Sequence, residues 1–388
     1  MAAHQRLLSI DILRGITIVG MILVNNPGGG WTDVFVPLMH ADWIGLTPAD
    51  LVFPTFMFIM GITTCLSLRK YDFAWSKACA CKIARRALLL WAVGLFVTML
   101  FDLVGYWLYS DHSQSLFAAV FGHLRLLGVL PRLGICYGLA ALIAITVRHR
   151  LIPWLIVFIF VGYWIILECG NGYAHDATNI LAVADRAVLG PDHVFLWDTP
   201  DPEGVLSTLP ALAHVLIGFC VGRMLTSHRD LHDRIERLFV VGALLMTAGA
   251  LLAYLCPVSK KIWTPTFAML SCGIAATLLA LLTWMLTTLR RPSAPSPSAS
   301  IPSPGRVGRF FLVFGVNPLA LYVLSELLVI PFAMLPVCGG ETVQQVVFSA
   351  FAAMLPVKWA SLVWAVLCVL ACWAVGCWLQ RRQIYIKL

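Results

Sequence analysis

The chain has 388 residues, of which 60% are hydrophobic and only 12% are charged. A soluble domain carries about 25% charged residues, so this composition excludes an ordinary soluble protein. It predicts an all-α, polytopic membrane bundle in which residues 1–388 form a single transmembrane domain. The net charge of +8 would by itself suggest a nucleic-acid partner. We expect none, because the basic residues follow a loop pattern that indicates membrane topology instead.

A helix needs about 20 mostly apolar residues to cross a bilayer. Ten segments satisfy this requirement: 7–25, 48–68, 84–104, 126–147, 151–169, 205–225, 238–256, 263–289, 310–335 and 358–379. A semi-polar stretch, 105–125, separates the third span from the fourth and is predicted to be re-entrant or interfacial.

Most of the 27 Lys and Arg residues lie in one alternating set of loops, whereas the other set holds few of them: 26–47, 105–125, 170–204, 257–262 and 336–357. The positive-inside rule places the basic loops, and therefore both termini, in the cytoplasm. The Pro/Ser-rich segment 291–308 is then a cytoplasmic linker. The outer loop 170–204 is long for a connector, which favours a lid or a site wall.

Several ionisable or polar residues lie within or beside the predicted spans, where they are costly and usually paired or functional. Asp11 and Arg14 share a helix face, and they form either an internal ion pair or a site in which Arg14 meets an anionic ligand. Arg132 fits three roles equally: an interfacial side chain, a phosphate ligand or an anchor for an outer loop. Asn317, before a proline, is predicted to cap a helix that carries Glu326.

The outer loop contains a second group of candidates. Asp201 and Glu203 in "DPEG" either complement the dipole of the following helix or grip a hydroxyl or an amine of a sugar. Asp185 and His193 allow the same two interpretations. The cysteines lie mostly in apolar runs, where they behave as small hydrophobes, so we expect no disulfide framework and no metal site.

His40 stands out among the histidines because of its surroundings. It precedes a helix start at Thr47 and Pro48, and Asp50 stands at the spacing of a capping box with Thr47. Upstream, "VNNPGGGW" ends the first span in a Gly-rich turn that carries Asn25. A neutral imidazole suits acyl transfer, as general base or as nucleophile. A surface or packing role is the alternative that these residues leave open.

The segment "LSIDILRGITIVGMILVNNPGGG" followed by "HADWIGLTPADLVFPTFMFIMG" resembles the heparan-α-glucosaminide N-acetyltransferase family. The resemblance continues through "GVLPRLGICY", "DRAVLGPDHVF", "DPEGVLSTLP", "KKIWTPTFAML" and "FGVNPLALYVLSEL". It implies a transmembrane enzyme that moves an acetyl group from cytosolic acetyl-CoA to a glucosamine amine across the membrane. It also implies a bacterial member in the inner membrane, with His40 on the periplasmic side, a glycan acceptor and a possible homodimer.

The resemblance also implies roles for individual residues. His40 corresponds to the active-site histidine of the family and Asn25 to its asparagine, and Asp50 is expected to support the helix start or His40. Donor contacts are expected in shared motifs at Arg14, Arg132, Lys260, Trp263 and Asn317. Acceptor contacts are expected at Asp42, Asp201, Glu203, Asp185 and His193. The chain departs from the animal enzyme at Asp42, where that enzyme has Ser, and this puts the identity of the acceptor in doubt.

Two other functions fit the same sequence features. An O-acyltransferase of envelope polysaccharide would share the donor but need a hydroxyl acceptor. A sugar or solute transporter would also use ten spans with intramembrane charges, and an internal repeat would favour it. We find no convincing repeat.

Overall fold

A computed structural model describes residues 8–111, 113–227, 230–288 and 305–386. The described chain is almost entirely helical and contains one short antiparallel pair of strands, β1 Pro336–Cys338 and β2 Glu341–Thr342. The helices are α1 Leu8–Asn25, α2 Val52–Leu68, α3 Lys77–Tyr109, α4 Leu116–Phe121, α5 Val129–Thr146, α6 Ile152–Cys169, α7 Ile180–Leu189, α8 Thr208–Ser227, α9 Leu231–Leu252, α10 Pro265–Thr288, α11 Arg306–Val316, α12 Pro318–Val329, α13 Val343–Ala352 and α14 Val357–Arg381.

Within the described ranges, nine helices are long and apolar enough to cross a membrane, and the bent pair Arg306–Val316 plus Pro318–Met334 brings the number to ten. All ten coincide with predicted spans, so the predicted polytopic helical bundle is confirmed. The stretch 105–125 holds the end of α3 and the short helix α4, and the outer loop 170–204 contains α7. Most of the predicted linker 291–308 lies outside the described residues.

The segment predicted as one continuous span over 310–335 is broken, with an angle of 82° between its two halves. The break falls at Asn317, immediately before Pro318, which cannot donate a backbone hydrogen bond and disfavours helical geometry in the residue before it. Asn317 occupies the N-cap position of α12, as predicted, but its side chain makes no capping hydrogen bond there. Instead its amide donates to the Ile384 carbonyl oxygen at 3.0 Å and accepts from the Ile386 N–H at 2.9 Å.

Glycines allow the central helices to approach each other closely, as small residues do in membrane bundles. A Cβ atom added to Gly218 on α8 would lie 2.2 Å from the Phe58 carbonyl oxygen of α2, and one added to Gly61 would lie 2.1 Å from the Val215 carbonyl oxygen. Between α1 and α11, a Cβ on Gly315 would lie 1.8 Å from the Asp11 carbonyl oxygen. These contacts fix the spacing of the helices that surround the site described next.

We expect Gly218→Ala to destabilise the bundle, because the added methyl group would force α8 away from α2. Overpacking of this kind costs about 1–3 kcal/mol. The melting midpoint of the detergent-solubilised protein, followed by tryptophan fluorescence, should fall. Gly162→Ala on α6 is the matched control, since a Cβ there meets no atom within 4 Å. Equal midpoints for the two variants would contradict the proposed packing constraint.

Candidate active site

The turn before α2 holds the His40 side chain in one orientation. Asp50 is fully buried in the short 3-10 helix Pro48–Leu51, and its Oδ1 lies 2.8 Å from His40 Nδ1. Its Oδ2 accepts from the backbone N–H groups of Ala41 at 3.1 Å and Thr47 at 3.0 Å, which confirms the predicted capping box. Since a carboxylate only accepts hydrogen bonds, Nδ1 of the neutral ring carries the proton and Nε2 keeps the basic lone pair.

The loop between α9 and α10 places Lys260 against the same imidazole. Lys260 Nζ lies 3.1 Å from both ring nitrogens of His40 and 3.7 Å from Asp50 Oδ1. The Gly45 N–H donates to the Val258 carbonyl oxygen at 2.8 Å and ties the two loops together. Burial lowers the pKa of Lys260, and the nearby Asp50 carboxylate opposes that shift. The sequence suggested Lys260 as a donor contact but gave no sign that it touches His40.

His40 opens into a cavity of about 610 Å³, here called the His40 cavity, which is within the usual size range of small-molecule sites. The cavity brings together polar side chains from five separate segments, Asn25, His40, Asp42, Asp50, Glu203 and Lys260. Its apolar wall includes Met21, Phe53 and Val129. Asn25 Nδ2 donates to Glu326 Oε1 at 3.0 Å, so the predicted intramembrane carboxylate of α12 has a partner at this cavity.

Arg125 organises the outer loop beside the His40 cavity, a role the sequence did not reveal. Its Nε donates to Asp201 Oδ2 at 3.1 Å, and its Nη2 lies 2.7 Å from Glu203 Oε2. Although burial favours the neutral form, the Glu203 and Asp201 carboxylates raise the pKa of Arg125. Asp201 also accepts from the Phe195 and Glu203 N–H groups at 3.0 and 2.8 Å. Its oxygens therefore stabilise the conformation of the outer loop.

Of the five acceptor candidates, only Asp42 and Glu203 line the His40 cavity. Asp185 is buried and accepts from the Val205 N–H at 2.7 Å; burial raises its pKa to about 6. His193 Nδ1 pairs with the Leu124 carbonyl oxygen at 2.9 Å. Asp185 and His193 therefore hold the outer loop in place. Across the described ranges, no group of three or more His, Cys, Asp or Glu side chains is placed to hold a metal ion.

Arg132 and Trp263 lie behind the cavity wall. Arg132 is fully buried, donates to the Gly204 carbonyl oxygen at 3.0 Å and to Ser207 Oγ, and stands over the Trp263 ring at 5.3 Å. Of the three roles left open for Arg132, the structure shows the contact with an outer loop. Trp263 is also buried and packs edge-on against Phe53, which does line the cavity.

A second cavity, of about 360 Å³ and here called the basic cavity, has a cationic lining that includes Arg14, Lys82 and Arg86. Arg14 Nη1 lies 3.1 Å from Asp11 Oδ1, so the predicted ion pair is present and Arg14 also faces the cavity. Arg86 stands over the Tyr137 ring at 4.4 Å. Lys82 and Arg86 were missed as site residues, because their sequence pattern indicated topology only.

The two cavities share the same four helices. Each has lining residues on α1, α2, α5 and α12. On α5 the linings come closest at Leu133 and Val129, and on α12 at Leu319 and Tyr322. These pairs are separated by about 6 Å and about 4.5 Å along their helix axes. About one helical turn therefore separates the basic cavity from the His40 cavity.

Comparison with known proteins agrees with this architecture. Residues 6–258 match the family model described as "Heparan-alpha-glucosaminide N-acetyltransferase, catalytic". The human heparan-alpha-glucosaminide N-acetyltransferase is 27% identical over 282 residues, covering 59% of this chain and 40% of that protein. The mouse protein of the same name is 25% identical over 333 residues, covering 70% of this chain and 48% of that protein.

The chain thus spans less than half the length of these two relatives. The family match, however, extends over well more than half of the chain and includes the His40 turn, the Arg125 cluster and part of the loop between α9 and α10. This chain therefore belongs to the heparan-α-glucosaminide N-acetyltransferase catalytic family.

Proposed function

We propose that this chain is a transmembrane acetyltransferase that moves an acetyl group from acetyl-CoA to the amine of a glucosamine-type sugar, with His40 as the central residue. The observation that carries the proposal is the Asp50–His40 pair in a cavity that lies about one helical turn from a cationic cavity on the same four helices. A carboxylate, an imidazole and an anion-binding site in this order suit acyl transfer from a phosphorylated donor.

The basic cavity is the proposed site for the phosphate groups of acetyl-CoA. Arg14, Lys82 and Arg86 supply the positive charge, and the apolar side chains between the cavities suit an uncharged arm carrying the thioester. Asn317 takes part indirectly, because it binds the backbone of Ile386, which lines this cavity. Arg132 and Trp263 support the wall of the His40 cavity from behind.

In the direct route of the proposed mechanism, His40 Nε2 accepts a proton from the acceptor amine as the nitrogen attacks the thioester carbon. The new C–N bond forms, the C–S bond breaks, and the imidazolium returns the proton to the departing thiolate. In the alternative route, His40 first takes the acetyl group as an acyl-imidazole and then passes it to the amine. Asn25, in the same cavity, orients the imidazole or stabilises the oxyanion.

The acceptor sugar binds in the part of the His40 cavity that is lined by Asp42 and Glu203. Asp42 and Glu203 give this region carboxylates that attract an amino sugar. By the positive-inside rule, the basic cavity faces the cytoplasm and His40 faces the periplasm of a bacterial inner membrane. In this arrangement the enzyme transfers an acetyl group from a donor made in the cytoplasm to a glycan outside it. We also propose that the enzyme is a homodimer.

Replacing His40 with Ala is expected to reduce acetyl transfer by at least about 100-fold, since the reaction loses its general base or nucleophile. The measurement is transfer of radiolabelled acetyl from acetyl-CoA to glucosamine by detergent-solubilised protein. His123→Ala is the matched control, because that side chain is 65% exposed and paired only loosely with Asp192 at 3.7 Å. Full activity in His40→Ala would remove His40 from the mechanism. Transfer to N-acetylglucosamine instead would indicate an O-acyltransferase.

Lys82→Gln and Arg86→Gln are each expected to raise KM for acetyl-CoA about tenfold, equivalent to about 1.4 kcal/mol of binding, with a smaller effect on kcat. Arg85→Gln, on an exposed position of the same helix, should leave KM unchanged. Steady-state kinetics and direct acetyl-CoA binding would test this. If the Arg85 variant loses as much affinity as the other two, the phosphates bind outside the basic cavity. If purified wild-type protein binds no acetyl-CoA, a transporter becomes the better interpretation.

A further inference from the structure

Lys260 is in direct contact with the imidazole of His40. Its Nζ lies 3.1 Å from Nδ1 and 3.1 Å from Nε2. Resting on the proposed function, we infer that Lys260 is a positioning residue: its ammonium keeps His40 unprotonated, so that Nε2 stays available as a base at mildly acidic pH.

The argument begins with the opposite effect of Asp50. A buried carboxylate 2.8 Å from Nδ1 favours the doubly protonated imidazolium. An imidazolium has no lone pair and cannot accept a proton from the acceptor amine. A site built from Asp50 and His40 alone would therefore lose its base as the pH falls. A cation beside the ring opposes uptake of the second proton and offsets the carboxylate.

Lys260 is held where this compensation is needed. Its side chain is only 16% exposed; burial lowers its pKa, and the Asp50 carboxylate, whose Oδ1 lies 3.7 Å from Nζ, opposes that shift and favours the charged form. The loop that carries it is fixed on both sides, by the Gly45–Val258 hydrogen bond and by the Ser259 N–H, which donates to Thr264 Oγ1 at 3.0 Å. Lys260 is thus held beside His40 and Asp50 by the fold of its loop.

The other titratable side chains that line the His40 cavity are few and can be separated by mutation. Asp42 comes from the same turn, Lys261 from the same loop as Lys260, Glu203 from the outer loop and Tyr322 from α12. Lys261 Nζ lies 4.0 Å from Asp42 Oδ1. Lys261 therefore carries the same charge as Lys260 in the same cavity but forms its ion pair with Asp42, which makes it a suitable control.

The test compares the pH dependence of kcat/KM, between pH 5 and 9, for wild type, Lys260→Met, Lys260→Arg and Lys261→Met. In Lys260→Met the acidic limb should move about one pH unit higher, so that activity at pH 6 falls about tenfold while activity above pH 8 stays near wild type. Lys260→Arg, which keeps the cation, should restore the wild-type limb, and Lys261→Met should not move it. If Lys260→Met does not fold, Lys260→Gln replaces it.

A second readout does not depend on catalysis. The pH dependence of His40 carbethoxylation, quantified by peptide mass spectrometry, should show a midpoint about one unit higher in Lys260→Met than in wild type. Unchanged midpoints would overturn the inference even if the enzyme is active. Equal loss of activity at every pH would also overturn it and would return Lys260 to direct contact with the donor. Full activity in His40→Ala, in contrast, would overturn the proposed function itself, whatever the midpoints show.

Discussion

The buried Asp50 carboxylate is the interaction on which the rest of the site depends. One of its oxygens binds the imidazole, and the other accepts from the backbone at the start of the second span. An ionised carboxylate without water needs several donors, and here those donors come from both the helix start and the candidate catalytic residue. The same group therefore caps a structural element and orients a reactive one, which couples the integrity of α2 to the geometry of His40.

Four helices connect the oriented imidazole with the basic cavity. Because α1, α2, α5 and α12 line both cavities, the proposed donor, held by cations in the basic cavity, would extend its thioester along these helices toward the imidazole. Glycine contacts between α2 and α8 and between α1 and α11 keep these helices close. The helices differ in how far they are enclosed by the rest of the protein. Only 17% of the most apolar stretch of α3 is buried, compared with 78% for α8. The helix that packs against α2 is thus far more enclosed than α3, although α3 supplies Lys82 and Arg86 to the basic cavity.

The sequence predicts those parts of this structure that depend on local composition. The ten spans follow from runs of about 20 apolar residues, and the Thr47–Asp50 turn follows from its capping spacing. The Asn317–Pro318 pair marked a helix start within the ninth span, but the 82° angle between its two halves was not predicted, because hydropathy gives no angle. The Lys260–His40 contact joins positions 220 residues apart. Charge counts grouped Lys82 and Arg86 with a basic loop, whereas both lie in α3 and line the basic cavity.

Asn317 holds the segment after α14 in place through hydrogen bonds to the backbone of Ile384 and Ile386. Ile386 lines the basic cavity, so the segment after α14 forms part of the wall of that cavity. Substitutions there would change the shape of that wall through the main-chain position as well as through side-chain chemistry, whereas substitutions in an unattached tail would leave it unchanged.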